Sequence, residues 1–254
     1  MKLEGKAAIV TGAGTGVGRA VALQLARGGC SVLVNYCHSR DGAEATAAEA
    51  REFGVAAIAH QADVADDTAC REMVSTACRE LGRLDILLNN AGTTQFIPHA
   101  ELDAVTDETW DQILAVNLKG PFYCSRAAKA ALLEAGGGDI VMTSSIAGLI
   151  GTGSCIPYCA SKAALNNMVV TLARAMGPTI RVNAVAPGFI DGEWLQQGLA
   201  GAYEAIKSGM EGRSPLNRVV TPDDVADAIL SLITGSDLVT GHVLPIEAGM
   251  LVGR

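Results

Sequence analysis

Seven short apolar runs mark the chain: Ala7-Ala8-Ile9-Val10, then 31–35, 55–60, 84–88, 140–143, 180–185 and 242–246. Between them lie longer stretches with apolar residues at helical spacing, at 17–27, 41–53, 66–81, 107–133, 157–176 and 221–233. The runs are continuous rather than alternating, which predicts strands buried on both faces. Strands of that type are parallel, and the intervening helices cross over above and below the sheet. The pattern therefore predicts an α/β fold: one domain over residues 1–254, with a doubly wound parallel sheet and helices on both faces. Thr221-Pro222-Asp223 reads as a helix start, with Thr at the N-cap and Pro in the first turn. No linker, charge block or internal repeat divides the chain. One segment, 189–217, breaks the alternation. It follows the carboxyl end of the sixth run, is rich in glycine and carries Trp194 and Tyr203. That position predicts a substrate lid.

Composition narrows the classes. The chain has 254 residues, 49% hydrophobic and 18% charged, enough apolar surface for one sizeable core and too much for a disordered segment. A formal net charge of −8 and a pI near 5.0 speak against a nucleic-acid partner, because phosphate backbones would be repelled. No stretch reaches the ~18–20 apolar residues of a membrane span. Residues 1–6 lack the apolar core of a secretory signal. The seven cysteines are odd in number and show no zinc-ligand spacing, so reduced thiols, no metal site and a cytoplasmic location are expected.

Three clusters carry candidate chemistry. Thr11-Gly12-Ala13-Gly14-Thr15-Gly16-Val17-Gly18 follows the first strand and opens the first helix. Glycines there permit a tight turn and the close approach of a pyrophosphate, which the helix N-terminus attracts. No Gly-Lys-Ser/Thr ending follows, so the turn does not read as a nucleoside-triphosphate loop. Asn89-Asn90-Ala91-Gly92 ends the fourth strand, beside the crevice where ligands sit in such sheets. Tyr158 and Lys162 are four residues apart on one helix and share a face. An ammonium beside a buried phenol is expected to tune it toward phenolate and make it an acid/base near neutrality. Thr143-Ser144-Ser145 at the end of the fifth strand offers a hydroxyl to a substrate carbonyl.

Taken together, Thr11-x-x-x-Gly16-x-Gly18, Asn89-Asn90-Ala91-Gly92, Asn117, Ser145, Tyr158-x-x-x-Lys162 and Pro187-Gly188 resemble the short-chain dehydrogenase/reductases over nearly the whole chain, with the β-ketoacyl-acyl-carrier-protein reductase-like group the nearest in character. The resemblance implies a Rossmann-like fold and hydride transfer between a nicotinamide cofactor and a small carbonyl or alcohol substrate. It implies that Tyr158 is the acid/base, that Ser145 polarises the carbonyl, and that Lys162 supports Tyr158 and binds the nicotinamide ribose. Asn117, inside the helix at 107–133, would hold a water of the proton relay. Gly12, Thr15, Gly16, Val17 and Gly18 would line the cofactor. Asp63 and Val64 would meet the adenine, and Asn90, Ala91 and Gly92 the adenosine side. Pro187, Gly188 and Ile190 would frame the nicotinamide. The chain departs from the family pattern at Gly192, where a Thr often stands, and at Glu247-Ala248-Gly249.

Cofactor choice turns on the end of the second strand. No carboxylate stands there to repel a 2′-phosphate, whereas Asn35, His38, Ser39 and Arg40 are polar or cationic. NADP(H) is therefore expected over NAD(H), although Thr15 stands where many NADP-preferring relatives carry a basic residue. Small residues along 107–133 and 157–176 would let helices of two subunits approach, and the family commonly assembles this way, so a homotetramer is expected, with a dimer as the fallback. The competing readings are a dinucleotide sensor without catalysis and a sugar-nucleotide epimerase or dehydratase on a related fold. Phe189, Trp194, Leu195 and Leu199 hint at an apolar substrate group.

Overall fold

The computed structural model describes residues 1–253; Arg254, the last residue of the expected domain, lies outside the described residues. The strands are β1 (Ala7–Val10), β2 (Ser31–Tyr36), β3 (Ala57–Gln61), β4 (Ile86–Asn89), β5 (Gly138–Thr143), β6 (Ile180–Pro187) and β7 (Val243–Ile246). The helices are α1 (Gly16–Arg27), α2 (Arg40–Arg51), α3 (Asp67–Leu81), α4 (Asp107–Leu114), α5 (Gly120–Glu134), α6 (Ala147–Ile150), α7 (Ile156–Met176), α8 (Glu193–Leu199), α9 (Tyr203–Arg213) and α10 (Pro222–Thr234). All seven strands pair in parallel, in the order β3-β2-β1-β4-β5-β6-β7. The expected doubly wound sheet is what forms. Its winding reverses between β1 and β4, and a crevice opens there at the carboxyl ends of the strands.

One face of the sheet packs on α1, α2 and α10 through Val21, Leu25, Ala47, Val225 and Ile229. The other packs on α3, α5 and α7 through Met73, Ala77, Leu132, Leu165 and Val169. Burial on both faces explains the unbroken apolar runs. The N-caps follow the sequence signals. Asp66 accepts from the Thr68 and Ala69 amides, and Thr221 forms a capping box with Asp224.

Two differences from the sequence reading have clear causes. The helix expected at 107–133 is split by a π turn at Ala115–Lys119. Pro121 lacks the N–H that an α-helix would direct to the Asn117 carbonyl, and the chain widens there instead. Strand β5 begins at Gly138 rather than 140 because the buried Asp139 is neutralised by Arg181 of β6, 2.8 Å away. Arg181 in turn donates to the Leu232 and Ile233 carbonyls near the end of α10. The segment 189–217 folds as the helix pair α8 and α9, packed on a small core of its own.

Candidate active site

The strand ends at the crevice are held by a few buried side chains. The Thr11 hydroxyl donates to the Leu88 carbonyl at 3.2 Å and accepts from the Asn90 and Ala91 amides at 2.9 and 3.0 Å. The Asn90 amide donates to the Thr11 and Gly12 carbonyls, and its oxygen accepts from Thr143. Asn90 thus ties together the ends of β1, β4 and β5. Gly12 has φ +62°, and a Cβ there would lie 2.9 Å from the Ala91 Cα. A Cβ at Gly18 would lie 2.3 Å from the Gly12 carbonyl oxygen. Only glycine fits either place, so the turn lies flat on β4.

The turn fits the pyrophosphate of a dinucleotide. Thr15 caps α1 without a side-chain hydrogen bond to its amides, and the first turn has no acidic residue. Thr15 and Gly16 are exposed, and Val17 and Gly18 are buried behind them. A cavity of about 510 Å³ runs along α1 from the turn to α8, lined among others by Thr15, Gly16, Arg19, Arg27, Trp194 and Leu195; Ser145, Tyr158 and Lys162 do not line it.

Three hydroxyls at 143–145 are equivalent in the sequence, and the structure sorts them. Thr143 bonds Asn90, and Ser144 bonds Asn166 on α7 at 2.5 Å. Ser145 hydrogen-bonds the Tyr158 side chain; its oxygen also accepts from the Ala147 amide at 3.1 Å and lies 3.5 Å from the Pro187 carbonyl. Tyr158 and Lys162 share the buried face of α7, at 8% and 4% exposure. The Lys162 ammonium donates to the Thr143 carbonyl at 2.8 Å and sits 5.7 Å from the centre of the Tyr158 ring. Ser145, Tyr158 and Lys162 therefore converge beside the crevice, as the sequence predicts.

Their electrostatics correct one expectation. Burial pushes the Tyr158 phenol up to about 12, with the Ser145 hydrogen bond opposing, and pushes Lys162 down to about 8. The expected drift of Tyr158 toward phenolate is absent. Desolvation penalises the charged form of each group, and the ammonium lies over the ring while it bonds a carbonyl. At neutral pH the Tyr158 phenol is protonated and Lys162 is charged.

Asn117 is fully buried in the π turn. Its amide donates to the Thr93 carbonyl and the Ser161 hydroxyl, and its oxygen accepts from the Thr93 amide at 2.8 Å. With both amide hydrogens engaged, the side chain clamps the loop after β4. Gly92 lies beside it: a Cβ there would be 3.5 Å from the Asn117 oxygen and 3.8 Å from the Lys162 nitrogen.

The second-strand loop also changes. Asn35 is buried, accepts from the Gly12 amide and donates to the Ala62 carbonyl. It props the glycine turn and is withdrawn from any phosphate. His38, Ser39 and Arg40 are exposed, and Ser39 abuts the turn, 2.5 Å from where a Gly14 Cβ would be. Asp63 is exposed and accepts from the Ala65 amide, while Val64 is buried against Gly120. Pro187, Gly188 and Ile190 follow β6 past Ser145, and Ile190 bridges to Val220.

Two features escaped the sequence reading. The Trp194 ring lies 6.3 Å from the Tyr158 ring at a 59° tilt. Asp191 accepts from the Tyr203 hydroxyl and the Lys207 ammonium, both at 2.5 Å, and so pins α9 to the end of β6. The cluster Asp191, Tyr203, Lys207 was visible as a spacing but carried no pattern that selects it. Phe189, Leu195 and Leu199 pack with Tyr203 and Val219, and Leu195 also lines the cavity along α1. Of the four apolar residues expected near substrate, Trp194 alone meets Tyr158.

Known proteins place this architecture. The family model described as enoyl-(acyl carrier protein) reductase matches residues 12–251. The 3-oxoacyl-[acyl-carrier-protein] reductase FabG of Staphylococcus aureus is 36% identical, over 96% of this chain and 98% of its own. An L-rhamnose 1-dehydrogenase (NAD(P)+) of Sphingomonas sp. is 38% identical, over 98% of both chains. Among solved structures, a 7α-hydroxysteroid dehydrogenase in complex with NADH and 7-oxo glycochenodeoxycholic acid superposes with a TM-score of 0.90. It is 30% identical, over 98% of this chain and 95% of that one. The chain belongs to the short-chain dehydrogenase/reductase family, near its ketoacyl-reductase group. It is an NAD(P)-dependent oxidoreductase of that family. No described helix is long and apolar enough to cross a membrane.

Proposed function

We propose that the protein moves hydride between a nicotinamide dinucleotide and a small carbonyl or alcohol substrate, using Ser145, Tyr158 and Lys162. The observation that carries this reading is their convergence on the crevice beside an uncapped glycine turn. When bound, the dinucleotide supplies or accepts the hydride. Gly12, Thr15, Gly16, Val17 and Gly18 would hold its pyrophosphate; Asp63, Val64, Asn90, Ala91 and Gly92 its adenosine side; and Lys162, Pro187, Gly188 and Ile190 its nicotinamide side.

In reduction the carbonyl oxygen gains negative charge. The Ser145 and Tyr158 hydroxyls receive it, and donors placed in advance this way are worth about 3–4 kcal/mol each. Tyr158 then gives its proton to that oxygen. Lys162 steadies the phenolate left behind. In oxidation the same proton returns to Tyr158. Asn117 serves as a positioning residue that fixes the loop beside Lys162.

His38, Ser39 and Arg40 beside the turn, with no carboxylate at the end of β2, favour NADP(H) over NAD(H). All seven cysteines are free, which fits a reducing compartment and a cytoplasmic location. The small residues of α5 and α7 favour a homotetramer, with a dimer as the fallback. The test is turnover of a panel of ketones and alcohols with each cofactor. NADPH should give the higher kcat/KM, and Arg40→Ala and His38→Ala should each lower the NADPH/NADH ratio about 3- to 10-fold. Tight dinucleotide binding without turnover would identify a sensor instead.

A further inference from the structure

The crevice above Tyr158 has an aromatic wall and a fixed floor. Trp194 on α8 is 49% exposed, with its ring 6.3 Å from that of Tyr158. Helix α8 is seated by Gly198, whose backbone lies against the Phe96 ring: a Cβ there would be 2.0 Å from it. Phe96 is in turn on a loop that cannot drift. Thr93 is clamped by Asn117, the Thr94 hydroxyl lies 2.5 Å from that of Ser154, and the Ile97 amide donates to the Ser154 carbonyl. Ile97 also packs with Tyr158, Cys155 and Ile113. The Tyr158 ring thus meets the Trp194 indole and packs with Ile97, and Phe96 backs α8.

Among the described residues, the cations around that wall are engaged: Arg19 and Arg27, which line the same cavity as Trp194, meet Glu49 and the Phe53 ring. Lys207 and Arg218 in this region are paired with Asp191 and Asp224. Lys162 bonds the Thr143 carbonyl below the ring. A carboxylate or phosphate next to the reacting carbonyl would lose its hydration and would meet cations that already have partners. A flat apolar ring would gain by stacking on the exposed indole beyond the area it buries.

We propose that Trp194 is a specificity-determining residue that selects neutral ketones, and the matching secondary alcohols, that carry a flat ring within one or two bonds of the reacting carbon. This rests on the reading of Tyr158 as the acid/base.

The test uses the enzyme with its preferred nicotinamide cofactor and three ketones: 2-tetralone, 2-butanone and benzoylformate, which sets a carboxylate beside the carbonyl. The ratio of kcat/KM for 2-tetralone to that for 2-butanone should fall about 10-fold or more in Trp194→Ala, the usual scale for an apolar contact. It should stay within about threefold in Trp194→Phe, which keeps a ring. Benzoylformate should be at least about 10-fold poorer than 2-tetralone. Binding is read without turnover in Tyr158→Phe by calorimetric titration of the cofactor complex with 2-tetralone. Adding Trp194→Ala to that variant should weaken binding about 10-fold. An unchanged ratio, an unchanged dissociation constant, undetectable binding, or preference for benzoylformate would each overturn the proposal. Loss of the acid/base reading would show differently: Tyr158→Phe would turn over like the parent, whatever Trp194 does.

Discussion

The two walls of the crevice are built in opposite ways. The strand-end platform of Thr11, Gly12, Asn90 and Thr143 is half-buried to buried and cross-linked by hydrogen bonds from three strands. The helix pair α8–α9 rests on a few apolar residues and one half-buried carboxylate latch, Asp191 with Tyr203 and Lys207. On the proposed reading, the platform would fix where a cofactor lies, and the helix pair would decide what reaches it. A wall that must admit different molecules belongs at the low-stability end of the structure, and a wall that sets reaction geometry does not.

That contrast can be broken at several points. The largest effect is expected at Lys162, which serves the platform electrically. Lys162→Ala should lower reductive kcat by about 100-fold or more and weaken cofactor binding as well. In the parent, the Lys162 ammonium held down to about 8 should make reductive kcat/KM fall as pH rises through that value, since the charged form is present below it and lost above it. Lys162→Ala should remove this fall.

Next in size is Thr11→Val, which keeps the volume and deletes one hydroxyl. It leaves the Asn90 and Ala91 amides without that acceptor, at a cost of about 2–3 kcal/mol in urea-induced unfolding. A loss below about 0.5 kcal/mol would show that the platform is not held as described.

The smallest effect is expected at the latch. Asp191→Asn should cost less than about 1 kcal/mol of stability, as partly exposed ion pairs do. Amide exchange should nevertheless quicken in α8 and α9, and substrate KM should rise a few-fold with kcat nearly unchanged. The Lys207 ammonium and the Tyr203 hydroxyl hold the Asp191 carboxyl below its ordinary range. The latch is therefore intact above the usual carboxylate range and released as pH falls through the lowered value. Equal exchange in variant and parent would count against it.

The sequence revealed the platform better than the helix pair, for a physical reason. Continuous apolar runs report burial on two faces, and the glycines at 12 and 18 report contacts that any Cβ would block. Those constraints act locally or on whole strands. The π turn was half visible, since Pro121 removes a defined N–H, but its widening depends on the fold around it. Asp139 concealed the start of β5 because its neutralising partner, Arg181, lies on another strand. Asn35 looked like a phosphate ligand until its partners at Gly12 and Ala62 were in place. Tyr158 and Lys162 were legible as a pair. The balance between their mutual attraction and their desolvation was not, because burial depth comes from distant helices. Trp194 stood out in the lid segment as an apolar residue, but its contact with the Tyr158 ring was not legible, because the two meet only across the crevice.

The most direct test of the proposed chemistry is Tyr158→Phe, with kcat and the dinucleotide dissociation constant measured on the same preparation. Only the hydroxyl is removed, and the ring, its contact with Trp194 and the Lys162 position are kept. Turnover should fall about 10²- to 10⁴-fold while cofactor affinity stays within about threefold. Residual turnover above about a tenth of the parent value would contradict the assignment of Tyr158 as the acid/base.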